Sequence, residues 1–129
     1  LFCSKEVCKL AIEQNGFALK YVENQSKELC KTAVQKNGLL LEYVKNQSKD
    51  LCVAAVQQNG LALEFVENQT HEICNLAVKQ NGMALKFADD HTEEICKLAV
   101  EQNRSALEHV DDEHKAESTK IVQDKPLTK

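Results

Sequence analysis

Cys8, Cys30, Cys52, Cys74 and Cys96 stand 22 residues apart, with Cys3 outside the series. Thiols at fixed spacing invite three chemistries: disulfide pairing, metal ligation and nucleophilic attack. Geometry opposes pairing between copies, because equivalent positions of stacked helices lie roughly 8–10 Å apart, beyond the ~7 Å Cα separation that a bridge tolerates. Spacing opposes zinc: there is no C-x-x-C, and no His follows a Cys by three or four residues. The expected role is a small buried hydrophobe filling the same notch five times, with every repeat Cys on an apolar face. Unpaired thiols at this density imply a reducing compartment, and hence a cytoplasmic setting.

The second set is the four histidines and the acidic residues around them. Asp89-Asp90-His91-Thr92-Glu93-Glu94 and His109-Val110-Asp111-Asp112-Glu113-His114 occupy successive junctions, and His71 opens an earlier one. Such clusters offer a divalent-cation site or a general acid and base pair. Their carboxylates lack ordered ligand spacing, so the expected role is a solvated edge, favourable at helix N-termini. His109, Ser105 and Arg104 replace residues that are Tyr or Phe, apolar, and Gly in other copies, as a polar capping unit would.

The third set is apparent glycosylation acceptors: Asn24-Gln25-Ser26, Asn46-Gln47-Ser48, Asn68-Gln69-Thr70 and Asn103-Arg104-Ser105. The first three fall where one helix ends and the next is capped, so turn chemistry alone produces them. No G-x-S-x-G, H-E-x-x-H, phosphate-binding loop or dinucleotide glycine pattern occurs, so no catalytic residue, cofactor or metal is expected.

The elements that must position these residues are repeats. Copies run 4–25, 26–47, 48–69, 70–91 and 92–113. Within a copy, Leu29, Cys30, Ala33 and Val34 share one helical face, Ser26 is placed as N-cap and Glu28 complements the dipole. Asn37-Gly38 is expected to stop the helix with the glycine in the left-handed conformation. A shorter helix then follows from Leu39 to about Lys45. Twenty-two is also two elevens, which one long supercoiled helix would satisfy. Gly16, Gly38, Gly60 and Gly82, each after an Asn, argue against it at a cost of ~1 kcal/mol each. The expected fold is all-α: a short α-solenoid, or superhelical stack, of helix-turn-helix units. Residues 1–113 form the array, with 1–3 ending an earlier copy or capping this one. Residues 114–129 are expected to form a degenerate cap and polar tail containing Pro126.

The motif Glu-Leu-Cys-x-x-Ala-Val-x-x-Asn-Gly-x-Ala-Leu-x-Tyr-Val resembles a family of tandem helical repeats known only as a domain of unknown function, number 4116. Leu51-Cys52, Ala55-Val56, Asn59-Gly60-Leu61-Ala62-Leu63-Glu64 and Phe65-Val66 carry the likeness, with counterparts in the other copies. The resemblance implies a source among giant DNA viruses, amoeba-dwelling bacteria or protists, and no activity, substrate or catalytic residue. Where the family has Pro after Tyr-Val, this chain has Glu23, Lys45, Glu67, Asp89 and Asp111. A less rigid turn between copies is therefore expected.

A net charge of -4 with only four Phe, two Tyr and no Trp argues against a nucleic-acid partner. No run is apolar and long enough to span a bilayer. The start at Leu1-Phe2-Cys3, without Met or a basic segment, points to a fragment or processed product. What remains informative is what varies while the frame repeats. Lys5, Lys27, Lys49, His71 and Glu93 share one register and form the candidate partner-binding ridge. Lys9, Lys31, Val53, Asn75 and Lys97 share a second, and Glu13, Gln35, Gln57, Lys79 and Glu101 a third. Four lysines against two glutamates give copy two +2, and two cations against seven carboxylates give copy five -5. The leading expectation is a non-enzymatic scaffold binding another protein. The alternatives are a targeting or regulatory fragment of a larger viral or bacterial effector protein and, less favoured for want of basic stripes, a membrane-surface amphipathic module.

Overall fold

The computed structural model describes residues 4–124. Six α-helices alternate with five 3-10 helices (η), and no strand occurs among the described residues. In order they are α1 (Lys5–Gln14), η1 (Gly16–Tyr21), α2 (Lys27–Lys36), η2 (Gly38–Tyr43), α3 (Lys49–Gln58) and η3 (Gly60–Phe65). Then come α4 (His71–Gln80), η4 (Gly82–Phe87), α5 (Glu93–Gln102), η5 (Arg104–His109) and α6 (Asp112–Asp124). Each element packs only within its own copy and against the adjacent copies. The chain is thus a one-dimensional stack of α–η pairs, and the single long helix is excluded.

Each start is set by a side-chain cap: Ser4, Ser26, Ser48, Thr70 and Thr92 accept the N–H three residues on. Each of α1 to α5 stops at an Asn in extended backbone, whose Oδ1 then caps the 3-10 helix that follows. The expected left-handed glycine is not there: no described residue, glycine included, has a positive φ. Glycine opens the 3-10 helix for a different reason. A Cβ on Gly38 would press into the carbonyl oxygen of Ala55 in the next copy, and one on Gly60 into that of Ala77. The position demands absence of volume rather than an unusual dihedral. The second helix is correspondingly tighter than an α-helix, a six-residue 3-10 segment in every copy.

The core runs unbroken along the stack. Leu29, Cys30, Ala33 and Val34 are buried with Leu40, Leu41 and Val44, and their counterparts repeat the pattern copy after copy. Copy one departs from this pattern at its first apolar position. Val7 is 57% exposed where Leu29, Leu51, Ile73 and Ile95 are at most 3% exposed. At the other end α6 packs on α5 and continues the register, with Ser118, Ile121 and Val122 at the places of Cys, Ala and Val. Ser118 is buried and its hydroxyl has no hydrogen-bond partner, a polar atom in a notch shaped for sulfur. The degenerate cap therefore contains a sixth repeat helix. Residues 1–3 and Pro126 lie outside the described residues.

Candidate functional site

The ridge residues Lys5, Lys27, Lys49, His71 and Glu93 are the first residues of α1 to α5. A cation there faces the positive end of the helix dipole and needs a carboxylate nearby. The next copy supplies it. Lys27 Nζ lies 3.3 Å from Asp50 and Lys49 Nζ 2.8 Å from Glu72, in each case the second residue of the following α-helix. His71 continues the series with Nε2 3.8 Å from Glu94, while its Nδ1 lies 2.8 Å from Asp90. Glu93 turns inward along its own helix to Lys97 at 2.8 Å. That pair holds the Glu93 carboxyl below and the Lys97 ammonium above their ordinary ranges, and Glu72 likewise raises Lys49. Lys5 is exposed at the start of α1. The ridge is therefore an exposed ladder of cross-copy ion pairs, each of which is individually weak.

Beside this ladder the other two variable registers converge. An open groove of about 620 Å³ crosses α2, α3 and the start of α4. Lys27 and Lys49 line it from the first register, Lys31 and Val53 from the second, and Gln35 and Gln57 from the third. Leu51, Val53 and Ala54 supply apolar wall, and Asp50 and Glu72 bring the ladder's carboxylates to its edge. The positions that change between copies are gathered on one surface.

The seams between copies are held by residues that sequence reading assigned only to turns. Gln47 donates Nε2 to the Phe65 carbonyl at 2.7 Å, and its Oε1 accepts the Glu67 N–H at 3.0 Å and the Cys52 thiol at 3.4 Å. Gln25 and Gln69 make the same set to Tyr43, Lys45 and Cys30, and to Phe87, Asp89 and Cys74. A second glutamine works in the opposite direction, Gln58 accepting the Gly38 N–H and Gln80 that of Gly60. The signal was available: glutamine recurs at 25, 47 and 69 and then becomes His91 and Glu113. These bonds also correct the expectation of a looser turn. Lys45, Glu67 and Asp89 donate the backbone N–H that a proline would lack, so the turn is tied by hydrogen bonding instead of by a ring.

The thiols are where they were expected, with one difference. Cys30, Cys52, Cys74 and Cys96 are buried and free, but Cys8, also buried, is disulfide-bonded, which corrects the expectation of five free repeat thiols. The argument against bridges concerned equivalent cysteines of successive copies, and four of these remain unpaired. Burial raises all four free thiols, and Asp111 and Asp90 help push Cys96 up to about 11. These are the opposite of nucleophilic cysteines.

The His and acidic junctions line one edge without converging on a point. No group of three or more His, Cys, Asp or Glu side chains could hold a metal ion among the described residues. His91 Nδ1 is 3.2 Å from Asp111, and His109 Nε2 is 3.2 Å from Glu108. Both nitrogens are buried and neither makes an aligned hydrogen bond. Asn24, Asn46 and Asn68 sit in the inter-copy turns, while Asn103 caps η5.

Two layers of short helices, capped alike and clamped copy to copy, define an all-α tandem-repeat solenoid. The model of the domain of unknown function DUF4116 matches residues 26–69 and again 70–115. The chain belongs to that repeat family. No curated protein and no solved structure matches it.

Proposed function

We propose that this chain is a non-enzymatic repeat scaffold that binds an extended segment of another protein along its α layer. The observation that carries this reading is the coincidence of the variable registers with the groove across α2, α3 and α4. A frame that repeats while one surface varies is how a stacked array acquires a partner without altering its fold. The charge grade from copy two to copy five would set the direction of the bound segment, since complementarity fixes register and on-rate. The ion pairs at the groove edge are exposed and exchange partners at little cost. A cytoplasmic, reducing setting belongs to this proposal: the four free thiols support it, and the Cys8 disulfide stands against it. No described helix is long and apolar enough to cross a membrane.

The test is affinity capture on immobilised full chain, compared with Lys31→Glu combined with Val53→Glu, and with Lys86→Glu on η4 as control. Partners retained by the wild type and the control but lost from the groove variant support the scaffold. Equal retention on all three would remove the groove from the interface.

A further inference from the structure

The groove across α2 and α3 is lined by three lysines and only two carboxylates. Lys27 is held by Asp50 at 3.3 Å and Lys49 by Glu72 at 2.8 Å. Lys31, one helical turn beyond Lys27, pairs with no carboxylate among the described residues, so the groove keeps one unmatched positive charge. On α3 the same register holds Val53, the one apolar residue of the series Lys9, Lys31, Val53, Asn75 and Lys97. Val53 and its neighbour Ala54 are half-buried in the groove wall. A free cation and an apolar seat therefore lie side by side on adjacent helices. Granted the scaffold reading, on which this rests, we propose that the groove takes an acidic segment in the polyproline II conformation. Its carboxylate meets Lys31, and an apolar side chain three residues away meets Val53.

The spacing selects the conformation. Packed helices stand about 8–10 Å apart, and Lys31 and Val53 are equivalent positions of adjacent helices. A polyproline II chain turns once in three residues and rises ~3.1 Å per residue, so side chains i and i+3 point the same way about 9.3 Å apart. A β-strand turns i and i+3 to opposite faces, and its same-face neighbours at i+2 stand only about 6.6 Å apart. No strand edge exists among the described residues for such a chain to join. An α-helix could reach across the gap, but its backbone groups are bonded to one another. The groove instead offers partners to a free backbone. Gln35 and Gln57, one turn beyond Lys31 and Val53, line it, and their side chains make no hydrogen bond among the described residues. Polyproline II carbonyls have no internal partner, and these two amides can donate to them.

Charge narrows the choice further. Asp50 and Glu72 at the groove edge repel a carboxylate placed away from Lys31, and Lys31 repels a basic segment. One unmatched cation suits a single carboxylate; a phosphate chain needs a row of them.

Fluorescence anisotropy on the full chain tests this with short labelled proline-rich peptides that contain Glu-Pro-Pro-Leu. The matched controls contain Lys-Pro-Pro-Leu, Glu-Pro-Pro-Gly, or Glu-Pro-Leu, which moves the leucine to i+2. The first peptide should bind most tightly and each control about three- to tenfold more weakly, the size that an exposed ion pair and a half-buried side chain allow. Lys31→Glu should reverse the preference between the glutamate and lysine peptides. Val53→Lys, which installs the residue found at Lys31, should erase the preference for leucine over glycine. Both positions belong to a register that already varies between copies, so neither variant disturbs the frame. Equal binding of the four peptides, preferences that the two variants leave unchanged, or no binding up to about millimolar peptide overturns the proposal. If partner capture still depends on the groove, such a result strikes the acidic polyproline II class alone. If capture is independent of the groove, the scaffold reading falls with it.

Discussion

The seam between copies two and three and the seam between copies four and five share one backbone plan and differ in chemistry. In the former, the Gln47 amide satisfies a carbonyl, an N–H and a thiol at once. In the latter, an imidazole occupies the same register, and its buried Nδ1 is left without an aligned bond. The fold is therefore carried by packing and by the caps, while the clamp is a separate device that can be exchanged locally. Copies four and five remain stacked because Ile73, Cys74, Ala77 and Val78 are buried as completely as their counterparts.

Both seams need close approach at the glycine, and losing it is expected to have the largest effect. Gly38→Ala, in the seam between copies two and three, drives a methyl into the Ala55 carbonyl and strains the Gly38 N–H bond to Gln58 at 2.7 Å. Gly82→Ala meets the Ala99 carbonyl in the same way between copies four and five. The expected loss is about 3 kcal/mol, read by urea denaturation. Gly16→Ala meets only the flexible end of the Leu40 side chain and should cost less than ~1 kcal/mol. Equal effects would show that the glycines matter for their dihedrals after all.

Next comes the clamp itself. Gln47→Ala leaves the Phe65 carbonyl and the Glu67 N–H unpaired and should cost about 2 kcal/mol. His91→Ala at neutral pH should cost less, because one of its ring nitrogens already lacks an aligned bond. His91→Gln should stabilise the chain, by about 1 kcal/mol if the amide recovers one or two bonds. A destabilising His91→Gln would mean the imidazole is better matched than its geometry shows.

The thiols give an alkaline signature. Cys96, held at about 11, keeps its proton in the folded chain long after an unfolded thiol has lost it near ~8.5. The unfolded state is then favoured as pH rises, so stability should fall between those two values, with Cys30, Cys52 and Cys74 contributing in the same direction. Melting temperature against pH should decline over this interval, and Cys96→Ala should flatten part of the decline. The smallest effect is expected at the ridge, where Lys49 and Glu72 side chains are 60% and 61% exposed. A double-mutant cycle there should return a coupling of about 0.5 kcal/mol or less, screened by salt.

Much of this molecule is legible along the chain, because its signals are local. The Ser and Thr caps, the Asn stops and the face of Leu29, Cys30, Ala33 and Val34 act within one copy, so periodicity finds them. The glutamine clamp was in view as a repeated letter, but its bonds reach 18 and 20 residues ahead, and nothing nearby announces them. The ridge was legible as a register of changing charge. Its pairing with Asp50, Glu72 and Glu94 was not, since that depends on how far one helix is displaced from the next.

The 22-residue spacing of the cysteines reflects both levels, the single unit and the packed stack. By itself the sequence determined the period, the helix starts and stops, the buried face and the registers that vary. Those follow from propensity and polarity within a single unit. Only the tertiary structure decided why glycine follows asparagine, what the thiols and glutamines touch, and that the second helix is 3-10. Each of those depends on the distance and rotation between neighbouring copies, a quantity that exists only once two copies are packed together.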